Sequence, residues 1–143
     1  MSRRGGEGIM PFTASPEQLF IDGVWRDAEG GATFDVLDPA TGEIIAAVAS
    51  ASVADGGAAL DAAAAAQAQW GATAPRLRSR ILRDAFDLLM ERREEFAALM
   101  TIEMGKPLAE ARGEVTYGAE FLRWFSEEAA RIGGHYGLNP EGT

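Results

Sequence analysis

The chain has 143 residues, 47% hydrophobic and 24% charged, with a formal net charge of -9, which fits one globular domain. That charge excludes a nucleic-acid footprint, which needs clustered Lys and Arg on phosphates, and no run approaches the ~18 consecutive apolar residues of a membrane span. With no cysteine and one histidine, His135, these residues hold no disulfide, thiolate metal site or thiol nucleophile.

Met1 to Gly8 carries Arg3 and Arg4 without an apolar core behind them, so it does not read as a secretory signal. Residues 1–17 are expected to be a disordered extension and 18–143 the folded part, in a cytoplasmic protein. In Leu19 to Trp25 the pair Asp22-Gly23 stands between apolar β-formers and predicts a hairpin. A second hairpin is predicted from Thr33–Leu37 and Glu43–Val48, which flank Asp38-Pro39-Ala40-Thr41-Gly42.

Three long helices follow. Ser52 with Asp55 three residues on resembles a capping box, and the alanine-rich helix behind it is expected to run to Trp70 with Gly71 as its C′ residue. The second starts after Pro75 with an apolar stripe of Leu77, Ile81, Leu82, Ala85, Leu88 and Leu89, continued through Phe96, Leu99 and Met100 to Gly105. Pro107 forbids simple continuation. The third places Ala111, Val115, Gly118, Leu122, Phe125 and Ala129 on one seam and is expected to end at Gly133-Gly134. Two hairpins and an uncovered helical layer make an incomplete domain, because apolar faces must be buried in layers.

No motif here carries chemistry by itself. Gly105-Lys106 is followed by Pro107 and lacks the spacing of a phosphate loop. Gly133-Gly134-His135-Tyr136-Gly137 follows no strand, so it reads as a helix stop and His135 as a surface histidine. Glu103 and Glu110 read as solvated carboxylates, and Arg76, Arg78, Arg80 and Arg83 as a solvated basic face. Trp70, Trp124 and Phe125 read as core or subunit interface.

Four stretches in order carry a family resemblance: Leu19 to Trp25; Phe34 to Ile45, with Asp38-Pro39-Ala40-Thr41-Gly42-Glu43; Trp70 to Arg83; and Leu99 to Glu114, with Glu103-Met104-Gly105-Lys106-Pro107-Leu108. Together they resemble the N-terminal region of the aldehyde dehydrogenase superfamily. Glu114 to Phe125 and the ending Gly137 to Gly142 are similar to its succinate-semialdehyde dehydrogenase branch.

The resemblance implies an α/β fold with a Rossmann-type cofactor domain when complete, of which residues 18–143 are an N-terminal part. It implies oxidation of an aldehyde, succinate semialdehyde in this branch, to the acid with NAD or NADP. The reaction runs through a cysteine thiohemiacetal and thioester. The family's cysteine, glutamate, asparagine and cofactor loop lie after Thr143 in its order. No catalytic or cofactor-binding residue is therefore carried over, this chain alone is expected to be inactive, and it is expected to hold no cofactor tightly. Gly113 and Tyr117 match positions lining the mouth of the substrate tunnel. Val36 and Glu103 match the surroundings of a monovalent-cation site built partly from backbone carbonyls. The complete enzyme is expected to be a homo-oligomer. The alternative is a short non-catalytic interaction module that docks on a full-length subunit through the seam Ala111–Val115–Gly118–Leu122.

Overall fold

A computed structural model describes residues 17–134 and Pro140. The expectations for residues 1–16, for His135 and, Pro140 apart, for the ending Gly137 to Gly142 lie outside the described residues. Strands β1 (Leu19–Ile21) and β2 (Val24–Arg26) pair antiparallel across Asp22 and Gly23, whose φ angles of 52° and 76° suit a tight hairpin turn. A short 3-10 turn, Glu29–Gly31, leads into the hairpin of β3 (Thr33–Leu37) and β4 (Ile44–Ala49). The Gly42 N–H donates to the Asp38 carbonyl at 2.7 Å, and the Ala40 N–H to the Asp38 carboxylate at 2.7 Å, so Asp38 closes its own turn. Val36 faces Ala46 and Leu37 faces Ile44, which leaves Ile45 as the extra residue of a bulge.

Four helices follow where three were expected: α1 (Val53–Ala72), α2 (Pro75–Glu91), α3 (Arg93–Met104) and α4 (Leu108–Ala129). The expected second helix is broken at Arg92, whose φ and ψ of -97° and 16° leave the helical region. A straight helix from Pro75 to Met104 would be about 45 Å long, against about 33 Å for α4. The break lets both halves lie on the same partner, since α2 and α3 both pack on α4.

Two helix ends also differ from expectation. Gly71 lies inside α1, which runs to Ala72. Thr73 ends it, donating its hydroxyl to the Gln69 carbonyl at 3.0 Å and its N–H to Trp70 at 3.1 Å, and the residue before Pro75 is forced extended. Helix α4 stops at Ala129, ahead of Gly133, where the Arg131 N–H turns back to the Glu128 carbonyl at 2.8 Å.

The core is small. Ala97, Ala111 and Val115 are buried at its centre, with Leu89, Phe96, Met100 and Leu108 packed around them. Alanines at the crossing allow helix axes to approach closely. On α2 the sheltered side carries Leu82, Ala85, Phe86, Leu89 and Met90, while Leu77, Ile81 and Leu88 of the expected stripe are exposed. The ion pair of Arg112 with Glu94 (2.7 Å) and the bond from Arg93 Nε to the Arg112 carbonyl (3.2 Å) tie α3 to α4.

Between α3 and α4 the chain reverses at Gly105, at φ 73°, and a Cβ there would lie 3.1 Å from Pro39 Cγ. Both the left-handed backbone and the proline ring act against a side chain. Gly105→Ala is therefore expected to cost about 1–2 kcal/mol, read as a lower urea midpoint at unchanged slope. An unchanged midpoint would mean that this turn is free to rearrange.

Candidate functional site

Helix α4 is apolar on two opposite sides. The inner side, Ala111, Val115, Ala119, Ser126 and Ala129, is buried, with Leu122 half-buried beside it. The expected seam is therefore corrected at two places: Gly118 and Phe125 are exposed, while Ala119 and Ser126 take their places. Ser126 is tolerated there because its hydroxyl donates to the Arg123 carbonyl at 2.6 Å. Since α2 and α3 already cover this side, Ala111 and Val115 are not open for docking.

The outer side carries Gly113, Tyr117, Glu120, Phe121 and Trp124, at the helical spacing that puts them on one stripe. Tyr117 and Trp124 are 67% and 62% exposed, so the α4 aromatics are not core within the described residues, and neither is the exposed Trp70 of α1. Tyr117 and Phe121 meet edge to face, with ring centroids 5.1 Å apart at 87°. With Glu120, Trp124 and Phe125 they line an open apolar groove of about 340 Å³. Glu120 is held by Arg123 at 2.5 Å, which keeps its charge at the rim. The stripe thus offers apolar and aromatic contact to a ligand or a covering segment, and no nucleophile.

The strongest electrostatic feature lies elsewhere. Asp55 is 1% exposed at the start of α1. Its Oδ2 accepts the Ser52 and Glu29 backbone N–H groups, each at 2.9 Å, and its Oδ1 accepts Arg26 Nη2 at 2.7 Å. The Ser52 hydroxyl caps the Asp55 N–H at 3.1 Å, completing the capping box. The Ser52 and Glu29 N–H groups, and then the Arg26 guanidinium, hold the Asp55 carboxyl well below the usual carboxylate range. This cluster joins β2, the 3-10 turn and α1, and every polar atom of the carboxylate is engaged, so it reads as a structural tie.

Val36 is half-buried on β3 and Glu103 exposed near the end of α3. The approach of Pro39 to Gly105 brings their two turns to one end of the molecule. Among the described residues no group of three or more His, Cys, Asp or Glu could hold a metal ion. Glu103 and Glu110 are both exposed. Within the basic segment, Arg83 pairs with Asp87 at 3.3 Å and lies over the Phe86 ring, and Arg78 is half-buried, its Nε without a hydrogen-bond partner among the described residues. Arg76, Arg80 and Arg83 are exposed as expected of a solvated face, and only Arg78 of the four departs from it.

The β4-to-α1 junction has no glycine, and at the start of α1 the Asp55 N–H is already taken by the Ser52 hydroxyl, so this junction is not a glycine-rich phosphate loop. Two features escaped the sequence. Phe121 is one turn beyond Tyr117, a spacing that could have flagged it, whereas the pairing of Arg26 with Asp55 spans 29 residues and leaves no local signal.

A family model described as the aldehyde dehydrogenase family matches residues 25–142. The chain is 65% identical over 99 residues to a succinate-semialdehyde dehydrogenase of Paenarthrobacter nicotinovorans, covering 69% of this chain and 22% of that protein. It is 49% identical over 118 residues to a glutarate-semialdehyde dehydrogenase of Pseudomonas aeruginosa, covering 82% of this chain and 24% of the relative. Among solved structures, PnpE in complex with nicotinamide adenine dinucleotide superposes with a TM-score of 0.83 at 34% identity, over 88% of this chain and 26% of that one. The chain thus spans about a quarter of the length of the proteins it matches.

Proposed function

The chain belongs to the aldehyde dehydrogenase family, a family of oxidoreductases, and on that premise we propose that it is the N-terminal part of an enzyme oxidising succinate semialdehyde to the acid with NAD or NADP as hydride acceptor. The identity of 65% with a succinate-semialdehyde dehydrogenase carries the substrate reading. Residues 18–143 form part of the cofactor-binding domain, and the cysteine chemistry belongs to residues outside this chain, which has no cysteine. The nicotinamide supplies hydride acceptance, and no step of that transfer falls to the described residues. A homo-oligomer in the cytoplasm is part of the same reading. No helix of the described residues is long and apolar enough to cross a membrane.

What these residues do is shape the approach of substrate. Gly113 and Tyr117, one turn apart on the outer side of α4, line the mouth of the substrate tunnel. Gly113 leaves open space where a side chain would stand, and Tyr117 gives an apolar wall to the carbon chain of the semialdehyde. Near Val36 and Glu103 a monovalent cation takes backbone carbonyls. Two such positions supply fewer oxygens than a hard cation gathers, so its remaining donors come from beyond the described residues.

The test is kinetic. With these residues joined to a cysteine-bearing remainder, succinate semialdehyde should be oxidised with a higher kcat/KM than glutarate semialdehyde, because one methylene is worth ~10–200-fold in a fitted pocket. Preference for the longer aldehyde would overturn the substrate reading. In that enzyme Tyr117→Ala is expected to raise KM for the semialdehyde about tenfold with little change in kcat. Wild-type kinetics would remove Tyr117 from the tunnel.

A further inference from the structure

We infer that Phe121 is the positioning residue for Tyr117, holding its ring over the outer groove of α4 so that the side toward Gly113 stays open to substrate. The inference rests on the reading of Tyr117 as a tunnel-mouth residue. Tyr117 is largely exposed, and a helical tyrosine has two χ1 wells open to it, so its ring needs a restraint to present one surface. Toward the N-terminus there is none: at Gly113, one turn earlier, an added Cβ would meet nothing within 4 Å. Toward the C-terminus Phe121 stands one turn on, its ring edge to face with the tyrosine. Pairs four residues apart on a helix meet in this way, and the aromatic quadrupoles favour the crossed geometry.

Tyr117 also has somewhere else to go. It borders a second groove, lined by Leu89, Phe96, Met100, Val115 and Gly118, where α2 and α3 cross α4. The exposed Gly118 leaves the way between the two grooves unobstructed, with nothing within 4 Å of the position a Cβ would take. Phe121 does not border that second groove; it lines the outer one beside Trp124 and Phe125. Its ring therefore favours the outer position of Tyr117 and leaves the inner one unaided.

The test uses the complete enzyme and four variants. Phe121→Leu, which keeps apolar bulk and helix, is expected to raise KM for succinate semialdehyde about fivefold with kcat within about twofold of wild type. Phe121→Trp, which keeps an aromatic face, is expected to restore KM. In a Tyr117→Ala background, Phe121→Leu should add less than about twofold, since a brace has nothing left to hold. If Tyr117→Ala raises KM and Phe121→Leu does not, or if the two effects multiply fully, the positioning role is overturned while the tunnel reading stands. If Tyr117→Ala leaves KM unchanged, the tunnel reading falls and this inference with it.

Discussion

Asp55→Asn is expected to lower the melting midpoint of the chain by about 5–10 °C, the largest stability loss of any single substitution outside the helical core. The carboxylate accepts from donors on both sides: two backbone N–H groups on Oδ2 and a guanidinium on Oδ1. An asparagine has one acceptor oxygen and one donor amide. Whichever way it turns, its NH2 faces either Arg26 or the paired N–H groups of Ser52 and Glu29, donor against donor in a site sealed from water. The same substitution removes half of the capping box and loosens the first turn of α1.

Its pH dependence has a definite sign. The folded carboxyl titrates well below its ordinary value, so its contribution is fully present above about pH 4 and is lost as pH falls toward the depressed folded value. Wild-type stability should therefore fall with acid more steeply than that of Asp55→Asn from about pH 4 downward, and the two curves should meet only once pH has fallen through the depressed folded value. Parallel acid limbs would show that the carboxylate is not linked to folding. An unaltered midpoint at neutral pH would show that the first hairpin docks on α1 by other contacts.

What could be read from the sequence was local. Asp22-Gly23, the Ser52–Asp55 pair and Pro107 each act within one turn of chain, and each stands where expected. The inner side of α4 was half legible. A strict heptad count drifts by ~20° per heptad against a straight helix, and that drift put Gly118 and Phe125 where the helix turns Ala119 and Ser126 inward. The break at Arg92 had no sequence sign, because Glu91, Arg92 and Arg93 are all good helix formers and the cause lies in the length of the helix they pack against. At the candidate site the spacing of Gly113 and Tyr117 was visible. The role of Phe121 depends on ring geometry, and the Arg26 contact on a hairpin folding back over α1.

Residues 1–143 by themselves are expected to leave NAD and NADP unreduced in the presence of succinate semialdehyde. A free aldehyde is a poor hydride donor until a nucleophile has added to its carbonyl carbon, so the decisive question is which group could add. The chain has no cysteine. Ser126 is buried with its hydroxyl donated to a backbone carbonyl. Ser52 donates its proton to the exposed Glu29 carboxylate at 3.2 Å while its oxygen accepts the Asp55 N–H at 3.1 Å, so its hydroxyl is engaged in the capping box. A carboxylate is moreover too weak a base to generate an alkoxide at neutral pH. Enzymes of ordinary efficiency accelerate their reactions by ~10⁶-fold or more, so the difference between this chain and the complete protein should be one between background and ready turnover. Cofactor reduction that rose in proportion to the concentration of the purified chain, and persisted in Ser52→Ala, would place a nucleophile within these residues and overturn the assignment of the chemistry to the rest of the enzyme.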